Sequence, residues 1–254
     1  MPTLGVIGTG HLATYVITAL RRGGCTDKIL LSPRNADRAA ALAKSAGCDI
    51  APSNQAVMAG ADIVLLSVRP QHAETTLKEL AWSPSQTALS VMAGVSLADL
   101  KRMIPGVGHI QLMMPLSYIE VVPGPIPVYP TPPADLAAFL SHAGELVSNA
   151  TEKSYDASLL AACAATWVYD LAHAMADAFI QHGLDPEAAR KLTLGNIAGQ
   201  AGYAMAHPCE SLLDISAGIA TEGTYTKLGL DQMKRDRFDK PWRDAIAAIA
   251  AKLG

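Results

Sequence analysis

Short runs of leucine and β-branched residues alternate with alanine-rich, apolar-periodic stretches through the first half of the chain. Leu4–Ile7, Lys28–Leu31, Ile63–Ser67 and Ala88–Val91 read as strands, and the segments near His11–Arg22, Asn35–Ala46 and Gln71–Leu80 as helices. This alternation predicts βαβ units and an α/β fold on a parallel sheet. Between Pro105 and Pro133 the pattern turns to extended pieces punctuated by proline, among them VVPGPIPVYPTPP. Proline locks φ and lacks an N–H, so helix is forbidden there and the segment is expected to close the sheet.

A helical signal returns at Ala134, and from Tyr155 onward almost everything reads as helix: Tyr155–His182, Pro186–Ala206, Cys209–Ala217 and Trp242–Leu253. Gly183 suits the position just past a helix end, and Asp185-Pro186-Glu187 supplies an N-cap with proline at the first helical position. The long helix carries alanine at 161, 162, 164, 165, 172, 174 and 176, too apolar for a helix with one wet side. It is expected to be buried, possible partners including another subunit. Two domains follow, 1–150 and an all-helical 151–254.

Composition narrows the partner. Half of the 254 residues are apolar, enough for a substantial core, and 20 basic against 23 acidic residues leave a net charge of −3. That balance offers no electrostatic case for nucleic acid or a membrane surface, so a small molecule is expected. Cys25, Cys48, Cys163 and Cys209 form no C-x-x-C pair and have no histidine at ligand spacing, so no metal site is predicted and reduced thiols point to the cytoplasm. The opening MPTLGVIGTG has neither a basic leader nor a cleavage site, and no apolar stretch is read as reaching the ~18 residues of a membrane span.

The strongest local chemistry is Gly8-Thr9-Gly10-His11-Leu12-Ala13, a G-x-G-x-x-A between a strand and a helix. Gly8 permits the tight turn, Gly10 lets backbone approach a pyrophosphate, and Ala13 allows close helix–strand packing, while the helix offers free N–H groups. This predicts a Rossmann-type dinucleotide site in the N-terminal domain. About 20 residues on, an NAD site places an acid against the ribose; here Ser32-Pro33-Arg34-Asn35 stands instead. A guanidinium there can pair with a 2′-phosphate, so NADPH is the expected cofactor. Arg21, Arg22, Arg38 and Lys44 are read as solvated helix faces.

Several stretches together resemble the pyrroline-5-carboxylate reductase family over nearly the full length. GVIGTGHLA and the SPRN turn are followed by Ser67-Val68-Arg69-Pro70-Gln71, similar to the family's V-K-P-Q, by Met92-Ala93-Gly94-Val95, and by Met114-Pro115 from the core of R-x-M-P-N. The helices around HGLDPEAARKLTL resemble the family's dimerising pair. The resemblance implies NAD(P)H-dependent reduction of a cyclic imine and a C-terminal domain that serves substrate binding and dimerisation, giving a homodimer or higher oligomer.

Departures fall at the substrate motifs. Leu112-Met113-Met114-Pro115-Leu116 lacks the arginine and asparagine of R-x-M-P-N, Ala162-Cys163-Ala164-Ala165-Thr166-Trp167 replaces G-S-G-P-A-Y, and Glu222-Gly223-Thr224-Tyr225-Thr226 replaces P-G-G-T-T. Fewer polar groups and added Leu116, Trp167 and Tyr225 argue against strict preference for a small amino-acid-like anion.

Arg69, Pro70, Ala93 and Gly94, at strand ends beside Val68, are expected to line the cofactor cleft, with Met114 and Pro115 as its floor. By resemblance Thr226 contacts the substrate nitrogen, with Thr224 and Tyr225 beside it; alternatively the threonines only cap a helix. Asp170, His173 and Asp177 share one face of the long helix. By resemblance to the related imine reductase and β-hydroxyacid dehydrogenase groups, which place a proton donor on the equivalent helix, Asp170 is a second catalytic candidate, unless the stripe is an interface ladder. His11 is expected over the cofactor, and His72 and His109 to be structural. Glu222 either meets a cationic substrate or stabilises a helix N-terminus. The leading expectation is a C=N reductase; a β-hydroxyacid-type dehydrogenase, which would want a lysine absent from 155–182, and a non-catalytic dinucleotide sensor are the alternatives.

Overall fold

The computed structural model describes residues 1–253. The chain divides into two units, Met1–Ala162 and Cys163–Gly254. In the first, β1 (Leu4–Ile7), α1 (His11–Arg22), β2 (Ile29–Leu31), α2 (Ala36–Ala46), β3 (Asp49–Ile50), α3 (Asn54–Gly60), β4 (Ile63–Leu66), α4 (Pro70–Lys78), β5 (Thr87–Ser90) and α5 (Leu97–Met103) alternate as expected. The sequence pattern missed β3, α3 and α5, all too short to develop a period. β6 (His109–Met113), β7 (Pro125–Tyr129), α6 (Ala134–Ser141) and β8 (Glu145–Ser148) complete one eight-stranded sheet in the order β3-β2-β1-β4-β5-β6-β7-β8. Every neighbouring pair is parallel except β6 and β7.

The proline-rich segment does extend the sheet, and its prolines shape how. Val128 O accepts from Asn149 N–H, whereas Pro127 O accepts from Met114 N–H, so even and odd residues of β7 face opposite neighbours. Pro125 and Pro127 therefore turn their missing donors toward β6, where pairing is confined to Leu112 with Tyr129 and Met113 with Val128. Continuous apolar runs fit a sheet covered on both faces: β1 and β4 are buried at all positions, and two apolar clusters flank them, one with Val16, Ile17 and Leu20 of α1, the other with Val57 of α3 and Leu77 of α4. Burial pushes the Cys25 and Cys48 thiols up from their ordinary value.

Two arginines read as solvated are structural. Arg21 donates to the carbonyls of Cys25, Asp27 and Ala46 at 2.7–2.9 Å, and Arg22 to those of Ile119 and Ala143 at 3.2 Å. Each satisfies loop carbonyls that would otherwise lack partners.

The remaining elements are helical: α7 (Glu152–Gln181), α8 (Pro186–Ala206), α9 (Leu212–Ile219), α10 (Tyr225–Arg235) and α11 (Asp239–Leu253). The division between units falls within α7. Gly183 (φ +101°) ends α7 with Leu184 N–H on Phe179 O and Gly183 N–H on Ile180 O, a Schellman pair that needs the left-handed backbone. Asp185 then caps α8 through the N–H groups of Glu187 and Ala188.

The expected burial of α7 included another subunit as partner, and only the reading that no stretch reaches membrane length needs correction. The helix is not buried within the chain: Tyr155 and Ala172 are its buried residues, while Tyr169 and Leu171 are exposed. It is also long and apolar enough, with a mean hydropathy of 1.3, to cross a membrane by length and composition alone, though only 6% of the tested window is buried. Asp170, His173 and Asp177 interrupt any continuous apolar run, while the alanines between them keep the average hydropathy high.

Candidate functional site

β1, β2, β4 and β5 run parallel and end on one edge, where a cleft of about 490 Å³ opens. It is lined by Gly10, His11 and Leu12 after β1, Asn35 and Arg38 after β2, Ser67 to Pro70 after β4, and Val91 to Ala93 after β5. Ligands of open α/β sheets lie at these carboxyl ends.

The turn after β1 is built for close approach. Gly8 has φ +96°, and a Cβ there would lie 2.6 Å from the Ser67 carbonyl oxygen, so no other residue fits without moving backbone. Gly10 is the N-cap of α1 and no side chain caps that helix, leaving its first N–H groups free for an anion. Thr9 is 3% exposed and its hydroxyl has no partner among the described residues. An orphaned buried hydroxyl beside uncapped N–H groups fits a phosphate-bearing ligand.

Charge along the cleft agrees. Its lining holds Arg38 and Arg69 and no carboxylate. Arg69 is the N-cap of α4, with Pro70 at the first helical position and again no side-chain cap. Asn35 caps α2, accepting the Arg38 N–H at 3.4 Å. Arg38 Nη2 lies 3.0 Å from His11 Nε2.

The sequence-derived cofactor residues separate into three groups. Gly10, His11, Leu12, Asn35, Val68, Arg69, Pro70 and Ala93 line the cleft. Gly8, Thr9 and the buried Ser32 lie behind it as scaffold, and Gly94 follows Ala93 just outside the lining. Arg34 is exposed and absent from the lining. Arg38, read as a solvated face, is in it; its place at the third residue of α2, in the first turn of the helix that follows β2, was the signal available. Met114 and Pro115 are buried after β6 and do not form the floor of this cleft.

In the second unit Tyr225 and Thr226 open α10 and line a groove of about 600 Å³ with Leu212, Ile215, Ile219, Leu230 and Met233. Tyr225 is 94% exposed. Thr224 is the N-cap of α10: its hydroxyl donates to Thr221 O at 2.7 Å and accepts from Lys227 N–H at 3.1 Å. The neighbouring Lys227 is tied to Asp231 at 2.6 Å, which raises the ammonium pKa above its ordinary value, with Glu222 a further cause. The Thr226 side chain makes no hydrogen bond among the described residues, and the residue lines the groove. Asp170 and His173 are exposed on α7, whereas Trp167 packs on Trp242 with ring centroids 5.6 Å apart. Among the described residues no group of three or more His, Cys, Asp or Glu side chains is arranged to hold a metal.

A family model described as NADP oxidoreductase, coenzyme F420-dependent, matches residues 3–94, and one described as pyrroline-5-carboxylate reductase dimerisation matches residues 152–253. The pyrroline-5-carboxylate reductase of Pseudomonas aeruginosa is 29% identical, with 99% of this chain and 95% of that protein covered. Among solved structures, the chain resembles 1-pyrroline-5-carboxylate reductase of Streptococcus pyogenes, at TM-score 0.86 and 22% identity over 99% of this chain and 98% of that one. It also resembles the Plasmodium falciparum pyrroline carboxylate reductase with NADP bound, at TM-score 0.83 and 19% identity over 99% of this chain and 97% of that one. The architecture is therefore a Rossmann-type domain followed by a helical dimerisation domain. The N-terminal domain takes a nicotinamide cofactor and the C-terminal helices associate with another copy of the chain.

Proposed function

The chain belongs to the pyrroline-5-carboxylate reductase family, and we propose that it reduces the C=N bond of pyrroline-5-carboxylate or a related imine, with NADPH rather than NADH. The cleft carries this reading: uncapped helix N–H groups and two guanidinium groups without a carboxylate converge where a phosphorylated dinucleotide would lie.

When bound, the reduced nicotinamide supplies a hydride to the imine carbon. The chain must bind, orient and assist proton delivery to the nitrogen. In the proposed arrangement residues 1–150 hold the cofactor, and 151–254 serve substrate binding and dimerisation. The first N–H groups of α1 hold the pyrophosphate, with Gly8 and Thr9 shaping the turn behind them, and Arg69, Pro70 and Ala93 border the nicotinamide end. Thr226 hydrogen-bonds the substrate nitrogen, because its hydroxyl is free while that of Thr224 is committed to capping. Tyr225 and Thr224 shape the approach, Met114, Pro115 and Trp167 contribute apolar surface, and Asp170 is the second candidate proton donor. The work is placed in the cytoplasm, where the free thiols of Cys25, Cys48, Cys163 and Cys209 would stay reduced.

The groove beside Thr226 favours a second reading of the substrate. Its large side chains are Leu212, Ile215, Ile219, Leu230 and Met233, which suit a bulkier, less anionic imine. The β-hydroxyacid alternative still lacks a lysine on α7 between Tyr155 and His182.

The test is oxidation of NADPH by the purified protein with pyrroline-5-carboxylate beside larger cyclic imines. Turnover of at least one imine is expected, and Thr226→Ala should lower it about 10²–10⁴-fold, the scale of a positioned proton-transfer group, with unchanged NADPH affinity. Tight NADPH binding without turnover of any imine would make the chain a dinucleotide sensor. Full turnover in Thr226→Ala would leave Asp170 as the proton donor.

A further inference from the structure

An arginine in a structural role fills its donors with carbonyls or carboxylates, as Arg21 and Arg22 do here. Arg38 does neither: it is half-buried, lines the cofactor cleft, forms no ion pair among the described residues, and directs Nη2 at His11 Nε2. A guanidinium only donates, so this imidazole nitrogen accepts and the proton of the neutral ring lies on Nδ1. His11 is the first residue of α1, directly after the glycine turn; Arg38 is the third of α2, directly after β2. The bond thus spans the helix that receives the pyrophosphate and the helix that borders the adenosine ribose in an open α/β sheet. It leaves the other guanidinium donors uncommitted among the described residues on a side chain that lines the cleft, and restricting that side chain lowers the ordering cost of meeting an anion. Arg34, four positions earlier, has no such anchor among the described residues and lies outside the lining.

We propose that Arg38, positioned by His11, reads the 2′-phosphate of the dinucleotide and sets the preference for NADPH, with Arg34 secondary. The proposal rests on the NADPH reading above and names the residue that enforces it.

Calorimetric titration of the full chain with NADPH, NADH, adenosine 2′,5′-bisphosphate and AMP tests it without turnover. Wild type should prefer the phosphorylated member of each pair. Arg38→Ala should weaken NADPH and the bisphosphate about tenfold or more, the scale of a lost charge-assisted contact, and leave NADH and AMP within about twofold. Arg38→Lys should recover part of the loss, since it restores charge without the planar fork. Arg34→Ala should lose less than Arg38→Ala. His11→Ala should lose part of the selectivity and His11→Gln, whose amide oxygen can accept from Arg38, should regain it, a rescue that mere packing would not give. Wild type without preference for the 2′-phosphate would end the NADPH reading itself. A preference that survives Arg38→Ala, falls more in Arg34→Ala, or is replaced by equal losses on all four ligands overturns the assignment to Arg38 alone.

Discussion

Arg237 is the non-glycine residue with a left-handed backbone among those described, at φ 52°. It ends α10: Arg237 N–H donates to Lys234 O and Phe238 N–H to Met233 O, each at 3.1 Å, the Schellman pair that glycine normally serves. A Cβ in this region costs roughly 1–2 kcal/mol, part of which glycine gives back as lost chain entropy. Arg237→Gly is expected to raise stability by about 0.5–1 kcal/mol, read from the urea midpoint; a lowered midpoint would show the guanidinium contributes more than the strain removes. Sequence alone identified the glycine turn for the opposite reason. Gly8, Gly10 and Ala13 are demanded by constraints that act within a few residues, so their types and spacing announce the turn. Arg34 and Arg38 carry the same charge one helical turn apart, and nothing local says which faces the cleft.

Among elements, the tie between α7 and α5 is the one that the periodic pattern could not contain. Glu152, in the first turn of α7, accepts the N–H of Leu97 at 2.7 Å, satisfying an orphan donor at the start of α5 that the Ser96 cap, engaged with Asp99, does not reach. The bond fixes α5 immediately downstream of Ala93 and Gly94. Glu152→Ala is expected to cost about 1 kcal/mol of unfolding free energy for the half-exposed carboxylate, and Glu152→Gln less, because its amide oxygen still accepts. Equal stability for all three chains in denaturant would mean that water replaces the carboxylate. Longer elements with an apolar period were legible nearly to the residue: β1, α1 and α8 match their expected bounds. The shorter α3 and α5 show no complete pattern, and start at Ser53 and Ser96 caps that resemble any loop serine.

For the whole molecule, exposed apolar surface is the dominant feature of the helical half. Leu212 and Leu213 of α9, Tyr225 and Leu228 of α10, and Met205 of α8 are all more than 60% exposed in the single chain. Patches of this kind mark association surfaces, in keeping with the dimerisation domain that spans residues 152–253. Folding linked to association makes apparent stability depend on concentration. The Tm is therefore expected to rise as protein concentration increases, and sedimentation to give a dimer or larger species. A concentration-independent Tm for a monomeric chain would contradict self-association.

The division between what was and was not legible follows from sequence distance. Strand and helix periods, proline breaks, the Gly183 stop, the Asp185 cap and the phosphate turn each depend on successive residues, and the chain by itself determined them together with its family. The meeting of His11 with Arg38, 27 positions apart, and of Glu152 with Leu97, 55 apart, depends on strand order and on which ends of the sheet come together. The same holds for the loop carbonyls that engage Arg21 and Arg22. Long flexible side chains reach several targets within one turn of their own backbone, so only tertiary packing, by presenting one acceptor and removing the others, decided which contact each guanidinium makes.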